Sequence, residues 1–379
     1  MIRSTHSKRR GASVAASACG LPFAVVAFGF ALSGVRELEA QGNGRNAHWY
    51  MGNYSNEVLV WDEASEEVVD RIPVKRPISL RLDVSEDRSR LYVMDPFFET
   101  IEIIALPSKE SIGEFTLSEG ATRTWIRSFQ VHPGQAWMAL LVQSRTKLAD
   151  RYRIDEPAIL RFDLTTYEVT DTIPWPDEET RRSANFRFSP AGDLLYMFSD
   201  DLVALDSESF EEVDRWEISE PLEPGLGEMR LPFGQSPYQE EDGVYTGLFR
   251  MTDPLQNRRL MGIATVDLAG QDVEFHPIGP SEGVSFVLSP DGTKGYGLKS
   301  EIGHYEMWKF DLREPRVAGR ITFAGRPRMA LMPSADGTKL YIYNAGSTID
   351  IYDEETFEFL RTVTLDADMT SVVVVPDPG

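Results

Sequence analysis

Beyond its first forty residues this chain has no cysteine. The single one among 379 residues, Cys19, lies inside the opening segment. Residues 41–379 therefore hold no disulfide, no C-x-x-C-H haem attachment and no cysteine-ligated iron–sulfur cluster. Histidine is nearly as scarce. His48, His132, His276 and His304 stand far apart, with no H-x-x-x-H or H-x-H spacing that would gather them on one metal. Neither G-x-x-x-x-G-K-[ST] nor G-x-G-x-x-G occurs, so neither phosphate-cradling loop is legible. The sequence points to no catalytic residue, no cofactor-binding residue and no metal ligand.

Positive charge is also in short supply. Thirty-eight Lys and Arg face 60 Asp and Glu, a net charge of −22. Residues 1–40 hold five of the bases and two of the acids, so the remainder carries −25. Such a surface repels nucleic acid and anionic lipid. Long apolar runs are limited to one, Ala12 to Val35, preceded by Arg3, Lys8, Arg9 and Arg10. A basic start, an uncharged run and the small residue of "LEA" before Gln41 form an export signal at 1–40. The run is long enough to span a bilayer, so the segment reads either as a cleaved signal or as an N-terminal anchor. Both place residues 41–379 in the periplasm or outside the cell, with membrane contact only through the N-terminal segment.

What the sequence has in abundance is repetition. "FQVHPG" ending at Gly134, "FRFSPAG" at Gly192, "FVLSPDG" at Gly292 and "LMPSADG" at Gly337 each set a tight turn after a short apolar strand. "LDVSEDRS" at 82–89 is the same element without glycine. A second phrase, an apolar strand ending in aspartate and then a turn, recurs at Asp62, Asp163, Asp206, Asp267, Asp311 and Asp353. Aspartate there bonds its own backbone two residues on, so these six are turn residues and not acids for chemistry. Units of four antiparallel strands fall at 78–117, 126–175, 184–218, 226–279, 284–323 and 327–365. Residues 48–74 supply three strands and lack an inner one, while 370–376 are one strand with nothing after it. The two fragments complete each other. The expectation is an all-β, seven-bladed β-propeller over 41–379, closed by pairing of the C-terminal strand with the N-terminal blade.

Two places on such a ring can carry function. Near the start of the inner strands, Arg81, Ser128, Asn185, Ser285, Arg328 and Ser371 fall at one mouth of the axial channel, a polar rim suited to an anion or carboxylate. Two units also depart from the period. The insertions 143–158 and 231–258 carry Arg145, Tyr152 and Arg153, and Phe233, Tyr238 and Arg250, as candidate partner-docking residues.

The repeat resembles the YVTN-type propellers of exported bacterial proteins, with "LYVMD" at 91–95 and "LYIYN" at 340–344 as local versions. It is similar, more closely, to the β subunit of quinohemoprotein amine dehydrogenase. That likeness rests on "IRSFQVHPGQAWMALLVQSRTKLADRYRIDEPAILRFD" (126–163) and "GVYTGLFRMTDPLQNRRLMGIATVDLAGQDVEFHPIG" (243–279). The resemblance implies a propeller without redox cofactor, on which a small quinone-bearing subunit and a di-haem cytochrome subunit assemble. Quinone and haem would belong to those partners, and no catalytic residue transfers to this chain. Two functions stay open: a non-catalytic scaffold subunit of a periplasmic amine dehydrogenase-like complex, or a stand-alone propeller that binds a ligand or protein at its axial mouth.

Overall fold

The structure is a computed structural model, and it describes residues 45–231, 243–268, 270, 272–343 and 346–377. Among these, strands account for all regular structure except one 3-10 turn, Pro176–Glu178. They form seven antiparallel sheets. The first joins Ala47–Asn53, Glu57–Asp62 and Glu67–Pro73 to the C-terminal strand Met369–Pro376. The second runs from Arg81–Val84 to Glu110–Thr116, the third from Thr122–Val131 to Glu168–Ile173, and the fourth from Asn185–Phe188 to Glu212–Trp216. The fifth spans Met229–Arg230 to Asp272–Pro280, the sixth Val287–Leu288 to Arg316–Phe323, and the seventh Ala330–Pro333 to Phe359–Thr364.

Local chemistry explains why each sheet turns where it does. After the inner strand of four sheets a serine caps the turn: the Ser85, Ser189, Ser289 and Ser334 hydroxyls accept the backbone N–H of Arg90, Leu194, Lys294 and Lys339 at 2.9–3.0 Å. The turn needs one left-handed residue, and glycine supplies it at Gly192, Gly292 and Gly337. Arg88 and Gln135 hold the same conformation in the second and third sheets at the cost of their side chains' crowding. At the outer turn the repeated aspartates accept backbone N–H groups. Thr166 N–H lies 2.7 Å from Asp163, Ser209 N–H 2.8 Å from Asp206 and Thr356 N–H 2.8 Å from Asp353. Each outer strand pair also carries one register shift, for example at Val60/Trp61, Ile103/Ile104 and Ile351/Tyr352. A bulge at that place adds right-handed twist.

Both faces of each sheet are buried, which is why strands such as "LYVM" and "KLYIY" are apolar almost throughout. Alternate residues go to opposite neighbours. Leu91 and Val93 pack with Val58 and Val60 of the first sheet, while Tyr92 and Met94 pack with Phe129 and Leu140 of the third. Equivalent clusters join the third sheet to the fourth, the fourth to the fifth, the fifth to the sixth and the sixth to the seventh. A further cluster joins the seventh to the first: Tyr341, Tyr343 and Ile351 pack on Trp49, Met51 and Trp61. Trp49 meets Trp61, Tyr341 and Tyr343 edge-on at 5.0–5.4 Å.

Candidate functional site

The two hairpins that carry insertions overrun the repeat at the same end, where the sixth sheet's hairpin also continues, to Glu301 opposite His304. In the second, third and fourth sheets Arg81, Ser128 and Asn185 sit opposite Met94, Leu141 and Phe198. The third sheet continues past that rung to Thr122 opposite Thr146, and the fifth continues to Asp253 opposite Arg258. The prolongations thus stand where the inner strands begin. The third-sheet hairpin is flanked by an extra strand, Tyr152–Ile154, paired with Arg145–Lys147. Tyr152 and Ile154 are 62% and 66% exposed, and Leu255 at the tip of the fifth-sheet hairpin is 83% exposed.

Beside the third-sheet hairpin lies a groove of about 500 Å³, lined by Pro96, Phe97, Phe98, Glu99, Trp125, Ile126, Arg127 and Arg145. One wall is the turn between two strands of the second sheet. Buried Asp95 organises it, accepting the N–H of Glu99 at 2.9 Å and of Thr100 at 3.2 Å. Phe98 is left-handed and its carbonyl accepts the Ile126 N–H at 2.7 Å, which locks the turn against the hairpin. The consequence is display: Phe97 is 69% exposed and Phe98 42%. On the other wall the Arg145 guanidinium stacks on Trp125, 3.8 Å from the ring centre. Arg127 bonds Gln143, and Glu99 is already engaged by the Ser118 hydroxyl at 3.0 Å.

The remaining insertion residues divide. Tyr152 is free at the surface, whereas Arg153 pairs with Asp155 at 3.2 Å. Arg250 reaches across to the Val284 carbonyl at 2.9 Å and ties the fifth sheet to the sixth. Phe233 and Tyr238 lie outside the described residues.

A second concavity opens at the other end of the inner strands. It encloses about 320 Å³ between the second, third, fourth and fifth sheets, with Asp83, Gln130, Arg187, His132 and Tyr245 on its walls. Arg187 donates to the Gln130 side-chain oxygen at 2.7 Å and to the Phe186 carbonyl at 2.9 Å. Desolvation raises the Asp83 carboxyl above its usual range, although Arg81 and Arg187 both pull it down. The same enclosure lowers Arg81.

The rim residues named from sequence do not line this cavity. Arg81 lies over the Phe129 ring, 4.5 Å from its centre, and Ser128 is buried. Asn185 and Ser285 are exposed, and the Ser285 hydroxyl accepts the Leu298 N–H. The Ser371 hydroxyl donates to the Ser79 carbonyl at 2.6 Å. Arg328 is out of register: Ala330 takes the rung, opposite Tyr343, and Arg328 sits two residues earlier in a left-handed turn. Counting from the arginine misplaces the rung because the strand start is invisible in sequence. Asp83, Gln130 and Arg187 were missed although they occupy equivalent places two residues along. Their signal was a charged or amide residue between two apolar neighbours on an inner strand. The sequence does contain one G-x-S-x-G spacing, Gly279-Pro280-Ser281-Glu282-Gly283, where an absence of that motif was expected. It ends the strand Asp272–Pro280 and leads to the sixth sheet, not into a helix, so Ser281 is no nucleophile elbow. Among the described residues no three His, Cys, Asp or Glu gather as metal ligands.

No family model matches the sequence, and no curated protein does either. Solved structures do match in fold. A functionally unknown protein from Desulfotomaculum acetoxidans DSM 771 superposes with a TM-score of 0.53 at 12% identity, covering 87% of this chain and 99% of that one. AztD from Citrobacter koseri gives 0.51 at 14% identity, covering 88% and 99%. The dihydro-heme d1 dehydrogenase NirN, in complex with DHE, gives 0.50 at 13% identity, covering 87% and 74%. All are propeller-like, and this chain is an all-β protein of the β-propeller class. At such identities the likeness speaks for the fold alone.

Proposed function

We propose that the seven sheets are the blades of one closed ring, and that this exported propeller is a non-catalytic scaffold on which other proteins dock. Closure is supported by the pairing of Met369–Pro376 with Ala47–Asn53 and by the aromatic cluster between the last and first sheets. The observation that carries the docking role is the groove beside the third-sheet hairpin. Its exposed Phe97 and Phe98 face a Trp125–Arg145 stack on the end where both insertions project. Exposed aromatics and arginine gathered in a concavity are the composition of protein–protein contact centres. The more specific form is a subunit of a periplasmic amine dehydrogenase-like complex, with haem and quinone on the partners. It rests on the resemblance of the two inserted hairpins.

The test is purification of the tagged chain from its native host. The expected eluate shows a haem absorption band and amine-dependent dye reduction, both lost when the complex is dissociated. A colourless, single, inactive chain rejects the scaffold. A second reading, a stand-alone binding propeller, is favoured by the cavity at Asp83 and Arg187, and that chain would purify alone.

A further inference from the structure

Arg145 is anomalous in its surroundings. The chain holds 60 acidic residues, and most of the arginines that frame the two hairpins have found a carboxylate or an acceptor. Arg123 faces Glu99, Arg153 pairs with Asp155, Arg151 with Asp150 and Arg258 with Asp253. The Arg145 guanidinium has a ring contact with Trp125 and, among the described residues, no hydrogen bond or ion pair. Stacking fixes its plane while its N–H fork stays free, and a planar fork of that kind matches a carboxylate. Glu99, the one acid among the described residues that line the groove, is held by Ser118 and faces Arg123. Opposite stand two phenylalanines that stay exposed among the described residues.

Resting on the docking role just proposed, we infer that the groove captures an acidic linear segment of the partner protein. One carboxylate of that segment meets the Arg145 fork, and a neighbouring apolar side chain packs on Phe97 and Phe98. Charge supports that chemistry in a second way. On a chain of net charge −22 an acidic segment is repelled almost everywhere, so a place offering an unpaired cation next to apolar surface selects both the site and the register. A basic segment would be drawn to the acidic surface at large and would gain nothing from Arg145.

The probes are three fluorescein-labelled peptides titrated into the full chain. One alternates Glu with Phe and Leu, the second replaces its Glu with Lys, and the third replaces its Phe and Leu with Ser. The expectation is saturable binding of the first alone, weakened by salt. In Arg145→Glu its affinity falls about tenfold or more, as for loss of a desolvated charge pair, and the Lys peptide gains. Phe97→Ser/Phe98→Ser loses binding of the first peptide without any gain for the second. A far-ultraviolet spectrum and melt confirm that each variant is folded. Equal binding of the Glu and Lys peptides, unchanged affinity in Arg145→Glu, or no binding to the native chain overturns the inference. The host purification fails independently: a chain that isolates alone yet binds the Glu peptide through Arg145 keeps this groove chemistry and removes the scaffold complex.

Discussion

Single residues in this repeat show how one position can be given different chemistry without disturbing the strand. The residue after the turn aspartate is leucine at Leu164, Leu268 and Leu312, but glutamate at Glu63 and Glu354. Both glutamates are buried and bind the neighbouring sheet. Glu63 accepts the Trp49 indole N–H at 2.7 Å and the Ala335 N–H at 2.8 Å. Glu354 accepts the Tyr296 hydroxyl at 2.6 Å and pairs with Lys294 and Lys309. Removing one partner from such a buried set leaves an unsatisfied charge. Asp83 is the contrary case, since enclosure raises its carboxyl while the arginines only partly compensate. In the range between the ordinary carboxyl value of 3.8 and its raised folded value, the folded state binds the more protons, so stability falls as pH rises. Asp83→Asn is therefore expected to melt higher than the native chain at neutral pH. The advantage disappears as pH drops below 3.8, where both states of the native chain are protonated. Melting curves across that range check the sign, and a native chain equally stable relative to the variant at all pH values refutes it.

At the scale of elements, the hairpins separate fold from function. The part of the third sheet that builds the core ends where Val142 meets Ala158. Beyond it the strands of Thr122–Trp125, Gln143–Lys147 and Tyr152–Ile154 pair only with one another, and apart from buried Thr124 their side chains are half-buried or exposed. Replacing 144–156 by Asn-Gly is expected to keep the cooperative melt, with a change within about 2 kcal/mol, because long surface loops contribute little loop-closure energy. It removes one wall of the groove, and binding of the Glu–Phe peptide should vanish with it. Retained binding would assign the groove's chemistry to the Phe97–Phe98 turn alone. Arg145 and Tyr152 were identifiable as insertion residues because they interrupt the period. Phe97 and Phe98 were not, because their turn has ordinary length and only Asp95 and the contact with Ile126 turn them outward.

For the molecule as a whole, the decisive contacts are those farthest apart in sequence. The C-terminal strand supplies the inner edge of the first sheet, with Val374 opposite Trp49 and Val372 opposite Met51. Deleting 369–379 should uncover the Trp49 cluster and forfeit stability comparable with the whole of an ordinary domain, about 5–15 kcal/mol. The measurement is a thermal or urea melt of the truncated chain, and a transition as cooperative as the native one would overturn the proposed ring closure. The sequence alone determined the repeat, its turn residues and the all-β class, since serine, aspartate and glycine act on backbone within a few residues and apolar strands need two buried faces. It also marked where the period breaks. Which residues converge was decided only by tertiary structure. Asp83, Gln130 and Arg187 come from three different sheets, and Arg145 faces Phe97 from a neighbouring one. Strand register sets those meetings, and a shift of a single residue sends every side chain to the opposite face.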